Sequence, residues 1–198
     1  VKAEYPDIIF IAEVYNPAEY RNYVAAGFNY LYDKVGMYDT MRGVICGNCP
    51  TSQITTAWQW VDKISNHMLY FLENHDEQRI ASDYFAGDGF RAYPALAVNM
   101  LMRSNPFMVY AGQEYGERGM DSEGFSGKDG RTTIFDYWTV PSLHRALVAK
   151  ESTADEHKLS AMYDRILSIA STEKAVGEGQ FFDLMYVNEH IAQKQYAF

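Results

Sequence analysis

Cysteine is nearly absent from this chain: Cys46 and Cys49 are the two among 198 residues. A single C-x-x-C in a loop supplies half a zinc site at most, and no second Cys pair or close His pair follows to complete one. A loop disulfide or two idle thiols is the better reading of that pair, ahead of redox catalysis. No apolar run reaches about 18 residues, which excludes a membrane-spanning helix. Basic residues are few and scattered, 17 Lys and Arg against 26 Asp and Glu, for a net charge of -9. That balance, with no Lys/Arg block, argues against a nucleic-acid partner. A neutral polymer has no phosphates to neutralise and meets no such penalty. Also missing are a His pair at metalloprotease spacing, a G-x-S-x-G elbow and a phosphate-binding Gly loop, as are internal repeats and low-complexity tracts. The chain opens Val1-Lys2-Ala3-Glu4-Tyr5-Pro6, with neither an initiator Met nor a signal peptide's apolar region. It reads as the interior of a longer protein, so the missing leader says nothing about secretion or compartment.

What is present is apolar and periodic. With 47% hydrophobic and 15% aromatic residues the composition is that of a folded globular chain. Four strand-then-helix units follow one another. Ile8 to Ala12 reads as a short buried strand that delivers Glu13 at its end. Asn16-Pro17-Ala18-Glu19 then opens a helix, with Asn16 as cap, Pro17 at the first position and Glu19 completing a capping box; Gly27 closes it. Phe28 to Leu31 is the second strand and leaves Tyr32, Asp33 and Lys34 at its end. A loop rich in Gly, Cys and Asn runs from Gly36 to Pro50, after which Ile54, Ala57, Trp58, Val61 and Ile64 recur at helical spacing. The third strand is Met68 to Glu73, with a helix from about Phe90 to Arg103 in which Pro94 is tolerable only near the first turn. Phe107 to Tyr110 is the fourth strand, followed by Ala111-Gly112-Gln113-Glu114. Beyond it, Gly116 to Arg131 is a polar, Gly-rich loop expected to range over the active face. Leu143, Ala146 and Leu147 mark a short helix, and Leu159, Met162, Tyr163, Ile166, Leu167 and Ala170 a longer amphipathic one. Phe181 to Val187 and Ile191 to Phe198 read as two strands joined around Asn188-Glu189-His190.

The most informative segment is Phe71-Leu72-Glu73-Asn74-His75-Asp76-Glu77-Gln78-Arg79. An apolar run from Met68 to Leu72 leads straight into Glu, Asn, His, Asp and Arg, the pattern of a buried parallel strand that ends at a working face. Glu13, alone at the end of another short apolar strand, repeats the design. Together the two segments resemble the α-amylase family of glycoside hydrolases. In that family a Glu at the end of the fifth barrel strand is the general acid/base, and an Asn-His-Asp at the end of the seventh supplies a fixed carboxylate and a substrate-binding imidazole. The resemblance covers nearly the whole chain. It implies an α/β fold: the second half (strands five to eight) of a TIM (β/α)8 barrel over residues 1–175, followed by the first hairpin of an antiparallel β domain over 176–198. A complete barrel needs roughly 250 residues, so half of one is expected here.

The chemistry follows from what a glycosidic bond requires. A carboxylic acid protonates the leaving oxygen, and in retaining enzymes a second carboxylate attacks the sugar from roughly 5–5.5 Å away. Glu13 suits the acid, because partial desolvation on an apolar strand would keep it protonated. Taken alone, Glu13 reads better as a structural carboxylate paired with a Lys or Arg across the barrel mouth; the Asn-His-Asp segment reverses that preference. The resemblance implies that Asp76 grips sugar hydroxyls and faces the charge developing on the ring, and that His75, Asn74 and Arg79 belong to the substrate-binding set. Arg79 reads equally as holding a neighbouring carboxylate or as a surface salt bridge, and Glu73 and Asn74 also as orienting their neighbours. Tyr15, Tyr32, Tyr38 and Tyr115 lie near strand ends where they could stack on sugar, although any one of 16 tyrosines is more often packing. Gln113 and Glu114 fit support of the barrel rim.

In the family the nucleophile ends the fourth strand in a Gly-x-Arg-x-Asp pattern, upstream of Glu13, and none of the twelve residues before Glu13 fits it. Gly89-Phe90-Arg91-Ala92-Tyr93 mimics the pattern, but Tyr93 stands in place of the Asp and the run opens a helix. The full-length protein is therefore expected to be a retaining glycosidase acting on α-linked glucans or malto-oligosaccharides, with this chain inactive alone. The alternatives are an α-glucan transglycosylase using the same residues and a non-catalytic, amylase-like binding or scaffold domain; the presence of Glu13 and Asp76 argues against the latter. No cofactor or metal is assigned within the chain, since the family's calcium ligands lie mostly upstream. The outer strands, Ile8 to Glu13 and Phe107 to Tyr110, are apolar and are expected to leave open edges that pair with the missing half or with another copy.

Overall fold

A computed structural model describes residues 1–120, 127–132, 135 and 139–198. Part of the loop expected over the active face, residues 121–126, lies outside them. Four strands form one parallel sheet in chain order: β1 (Ile11–Ala12), β2 (Tyr30–Tyr32), β3 (Met68–Phe71) and β4 (Phe107–Met108). Ile11 pairs with Tyr30, Leu31 with Met68, and Tyr70 with Phe107. Parallel neighbours cannot be joined by a tight turn, and each connection here carries helix. Helix α1 (Tyr20–Ala25) follows β1, α2 (Asp39–Ile45) and α3 (Gln53–Trp60) follow β2, and α4 (Tyr93–Leu101) follows β3. All four strands therefore end on one rim, which is where Glu13, Asp33 and Glu73 emerge.

The strands are shorter than their apolar runs. The cause is visible at β1, which has a partner on one side only, so that Ile8, Ile9 and Ile11 stay exposed. In the middle of the sheet every residue of β3 is buried, and Leu31, Met68, Tyr70, Leu72 and Leu96 make a core with no accessible surface. Asn16 caps the first turn by accepting from the Ala18 amide at 3.2 Å. The expected capping box does not close there: Glu19 instead accepts from Asn22 Nδ2 at 2.7 Å, within a 3-10 turn, Pro17–Glu19, that precedes α1. The helix expected over 90–103 also enters through a 3-10 turn, Gly89–Ala92, and Pro94 sits in the first turn of α4, as its missing amide requires.

Past β4, α5 (Pro141–Leu143) runs on as a π-helical turn to Ala149, and α6 (Ala154–Thr172) packs against α4 and buries Leu159, Tyr163 and Ile166. Thr153 and Glu156 form a full capping box at its start. The two strands expected over 181–187 and 191–198 do not form. Met185–Val187 and Glu189–Ile191 are 3-10 turns, and Leu184 N donates to Ala197 O at 3.0 Å between the two segments without forming a ladder. A two-stranded hairpin with no third strand is marginal, and here polar clasps decide instead. Asp183 Oδ2 accepts from Thr55 at 2.6 Å, Trp58 Nε1 at 3.0 Å and Tyr196 at 2.8 Å, which fastens the segment to α3. No helix among the described residues is long and apolar enough to cross a membrane.

Since β1 and β4 are both unpaired on their outer sides, the 198-residue chain on its own is expected to self-associate. Light scattering at micromolar concentration should report a species larger than a monomer, and a strictly monomeric one would contradict it.

Candidate active site

The end of β3 is organised around a buried ion pair. Glu73 and Arg79 are both sealed from solvent. Arg79 Nη1 donates to Glu73 Oε1 at 2.8 Å, its Nε to Thr132 Oγ1 at 2.7 Å and its Nη2 to the Ala111 carbonyl at 2.8 Å. The guanidinium also lies 4.1 Å from the Tyr110 ring centroid. The second oxygen of Glu73 accepts from the Ile80 amide at 2.6 Å. Complete burial pushes the Glu73 carboxyl upward, and Arg79 and the Ile80 amide pull against that. Every nitrogen of the Arg79 fork is thus engaged inside the protein, as expected of a residue that holds a neighbouring carboxylate. Asn74 is also turned inward. It is buried, and its Oδ1 accepts from the Asp76 and Glu77 amides, both at 2.9 Å, so it shapes the turn that presents the next residues.

Those next residues do face outward. His75 Nε2 lies 3.4 Å from Asp76 Oδ2 and 3.9 Å from Glu13 Oε2, so two acidic groups separated widely in sequence converge on one imidazole. Tyr15, two residues beyond Glu13, donates its hydroxyl to Glu13 Oε1. Burial, followed by Glu13 itself, pushes the Tyr15 hydroxyl upward, which keeps it a donor. Donor atoms of Glu13, His75 and Asp76 lie within 4.8 Å of one another, close enough to engage one sugar ring, and they are the group among the described residues that could hold a metal ion. The side chain of Glu13 is 37% exposed. The desolvation expected on an apolar strand is therefore incomplete among the described residues, where β1 is an edge of the sheet.

The other candidates sort by burial. Tyr38 is buried, stacked on Phe71 at 4.9 Å, and Tyr32 is tilted against the same ring at 5.2 Å, so both pack within the protein. Gln113 is buried and donates to Tyr163 at 3.0 Å, a rim support. In the Gly89–Tyr93 mimic, Arg91 donates to the Ala86 carbonyl at 3.1 Å, away from the site. Cys46 and Cys49 are free thiols, and burial pushes the Cys49 thiol upward, which makes it a poorer nucleophile. Two groups not assigned any role from sequence stand out at the rim. Glu77 accepts from Tyr38 at 3.0 Å and pairs with Lys34 at 3.2 Å. Asp33, with no accessible surface, accepts from the Met37 amide at 3.0 Å. The available signal was their position: polar residues directly after apolar strands. Clefts of about 490 and 670 Å³ lie at the opposite end of the strands, around Arg103 and Phe181, and neither includes Glu13, His75 or Asp76.

A family model of the alpha-amylase catalytic domain matches residues 1–175. The chain is similar to the noncanonic maltogenic alpha-amylase AmyB from Thermotoga neapolitana, at 18% identity and a TM-score of 0.61, over 89% of this chain and 35% of that one. It is similar to AmyP, crystallised in complex with maltose, at 17% identity and a TM-score of 0.62, over 88% and 40%. An alpha-amylase from Malbranchea cinnamomea aligns at 20% identity and a TM-score of 0.56, over 85% and 33%. The chain thus spans between a third and two fifths of the length of these neighbours, and at such identity the likeness shows the fold, a TIM-barrel fragment. No curated protein matches the chain.

Two stability effects follow from the buried charges. Arg79→Met would leave Glu73 buried without its partner and should cost about 3–5 kcal/mol in urea unfolding; a loss under about 1 kcal/mol would mean that the pair does not brace the turn. No cation pairs with Asp33 among the described residues, and burial raises its carboxyl from the usual 3.8 to about 6, with Asp39 of α2 adding to the shift. The Tyr20 and Tyr70 hydroxyls, without hydrogen-bond partners among the described residues, lie within its electrostatic reach. The folded state therefore holds this proton more tightly than the unfolded state, so the native protein loses stability as pH rises from about 4 through about 6. Asp33→Asn should be more stable than the native chain by about 1–3 kcal/mol at pH 7.5, the difference shrinking towards pH 4. A gap independent of pH in thermal unfolding would contradict it.

Proposed function

The chain belongs to the alpha-amylase catalytic-domain family, and from that membership we propose that it is the second half of the catalytic barrel, strands five to eight, of a retaining glycosidase that acts on α-linked glucans. Residues 1–175 are the barrel half, and residues 176–198 lead out of it; the end of the family match at residue 175 supports that division. The observation that carries the reading is the convergence of Glu13 and Asp76 on His75 at one rim.

In this reading Glu13 is the general acid/base. It donates a proton to the departing glycosidic oxygen and later removes one from the incoming water. Tyr15, bonded to Glu13 Oε1, leaves the other oxygen free to face the scissile bond. Asp76 grips sugar hydroxyls and faces the positive charge that develops on the ring. His75 sits between the two carboxylates and hydrogen-bonds the same sugar. Asn74 and the Glu73–Arg79 pair do not touch substrate; they hold the turn from which His75 and Asp76 project. The nucleophilic Asp comes from the half of the barrel that precedes β1, and that half also closes the open side of Glu13. Passing the glycosyl group to another sugar instead of water would use the same residues, and the ratio of new reducing ends to redistributed chain lengths separates the two outcomes.

In the full-length protein, Glu13→Gln and Asp76→Asn should each lower kcat on a soluble α-glucan by about 10²–10⁴-fold. A substrate whose leaving group needs no proton should rescue Glu13→Gln but not Asp76→Asn. Full activity of Glu13→Gln on the glucan would remove Glu13 from the mechanism.

A further inference from the structure

We propose that Glu77 is a positioning residue for His75 and Asp76, and that its orientation is set from the neighbouring strand by Asp33 through the turn Lys34–Tyr38. This rests on the assignment of Asp76 to the reaction. Glu77 is tied at three points. Its amide shares the Asn74 Oδ1 acceptor with the amide of Asp76, its Oε2 accepts from the Tyr38 hydroxyl at 3.0 Å, and its Oε1 lies 3.2 Å from Lys34 Nζ. Asp76 therefore stands between an anchor from inside its own turn and one from the turn beside it. Left unpaired, the Glu77 carboxylate would repel the adjacent Asp76; Lys34, itself held by Asp39 at 2.7 Å, offsets that charge.

The neighbouring turn is itself built to be rigid. Lys34–Tyr38 is one π-helical turn directly after β2. Asp33 N donates to the Leu69 carbonyl of β3 at 3.0 Å, which locks the start of the turn to the strand that carries the site. The Asp33 carboxylate accepts from the Met37 amide at 3.0 Å, and its carbonyl from the Tyr38 amide at 3.0 Å. Gly36 is required by the same arrangement, since a Cβ there would run into Asp33 Oδ1. At its far end Tyr38 stacks on Phe71, the last residue of β3, at 16° between ring planes, and Lys34 Nζ lies 4.9 Å from the Tyr38 ring centroid. The two side chains that grip Glu77 are thus fixed relative to β3 before they reach it.

The test uses the full-length protein. Glu77→Ala should lower kcat about 10–100-fold, the effect of displacing a reacting group by about an ångström, while KM changes by less than about threefold. Glu77→Gln keeps an acceptor for Tyr38 and should recover most of the loss. Lys34→Met should lower kcat as well, and the Lys34→Met/Glu77→Ala double variant should be no slower than Glu77→Ala alone, because both act through one contact. Asp33→Ala should reproduce the kcat loss and Asp33→Asn, which keeps the cap, should not; should Asp33→Ala fail to fold, the Lys34 and Glu77 variants decide. Additive effects of Lys34→Met and Glu77→Ala, or an unchanged kcat in Glu77→Ala while Asp76→Asn is inactive, would overturn the positioning role and leave the site standing. Full activity of Asp76→Asn would instead remove the site assignment, and this role with it.

Discussion

With its guanidinium sealed from water, Arg79 must find all its partners inside the protein, and the chain from 73 to 80 bends to supply them. Glu73 takes one nitrogen, Thr132 and the Ala111 carbonyl take the others, and the Ile80 amide returns to the free oxygen of Glu73. A buried charge pair gives little net stability, yet losing one member is severe, so such a pair specifies geometry more than it adds energy. The bend between its two ends has few ways to close. Asn74 occupies the inside of the bend, and His75 and Asp76 are left pointing out.

The functional rim is therefore layered. Behind it lie buried, anchored groups: Glu73 with Arg79, Asn74 with two amides, Asp33 with its turn. In front lie Glu13, His75 and Asp76, which bond weakly to one another and remain open to solvent. That division suits a site that must present unsatisfied groups to a ligand. The cost of holding polar atoms at fixed positions is met in the layer beneath, where low dielectric makes each hydrogen bond firmer.

Much of this was legible from the residues. The four apolar runs, their order and the polar residues at their ends gave a parallel sheet whose strands all end on one rim. Residues whose role depends on who lies opposite were not legible. Arg79 looks like a ligand or a surface cation until Glu73 and Thr132 are seen around it, and Glu77 looks like a solvated charge until Lys34 and Tyr38 reach it from β2. The last 18 residues misled for a similar reason. Their alternation reads as two strands, but pairing needs a sheet to join, and the clasp of Asp183 on Thr55 and Trp58 prevails where none is present. The desolvation of Glu13 could not be judged from Ile8 to Ala12 alone, because it depends on what covers the outer side of β1.

Asp33 and Gly36 have one more consequence, which concerns how this turn can change over time. The carboxylate fills the volume that any side chain at position 36 would need, while the turn needs that carboxylate for its amides. Position 36 is thus held to glycine by the residue three places before it, whereas position 33 itself admits Asn, which keeps the acceptor and nearly the same volume. A lineage could admit a side chain at 36 only after residue 33 had been shortened, so the two changes have a fixed order.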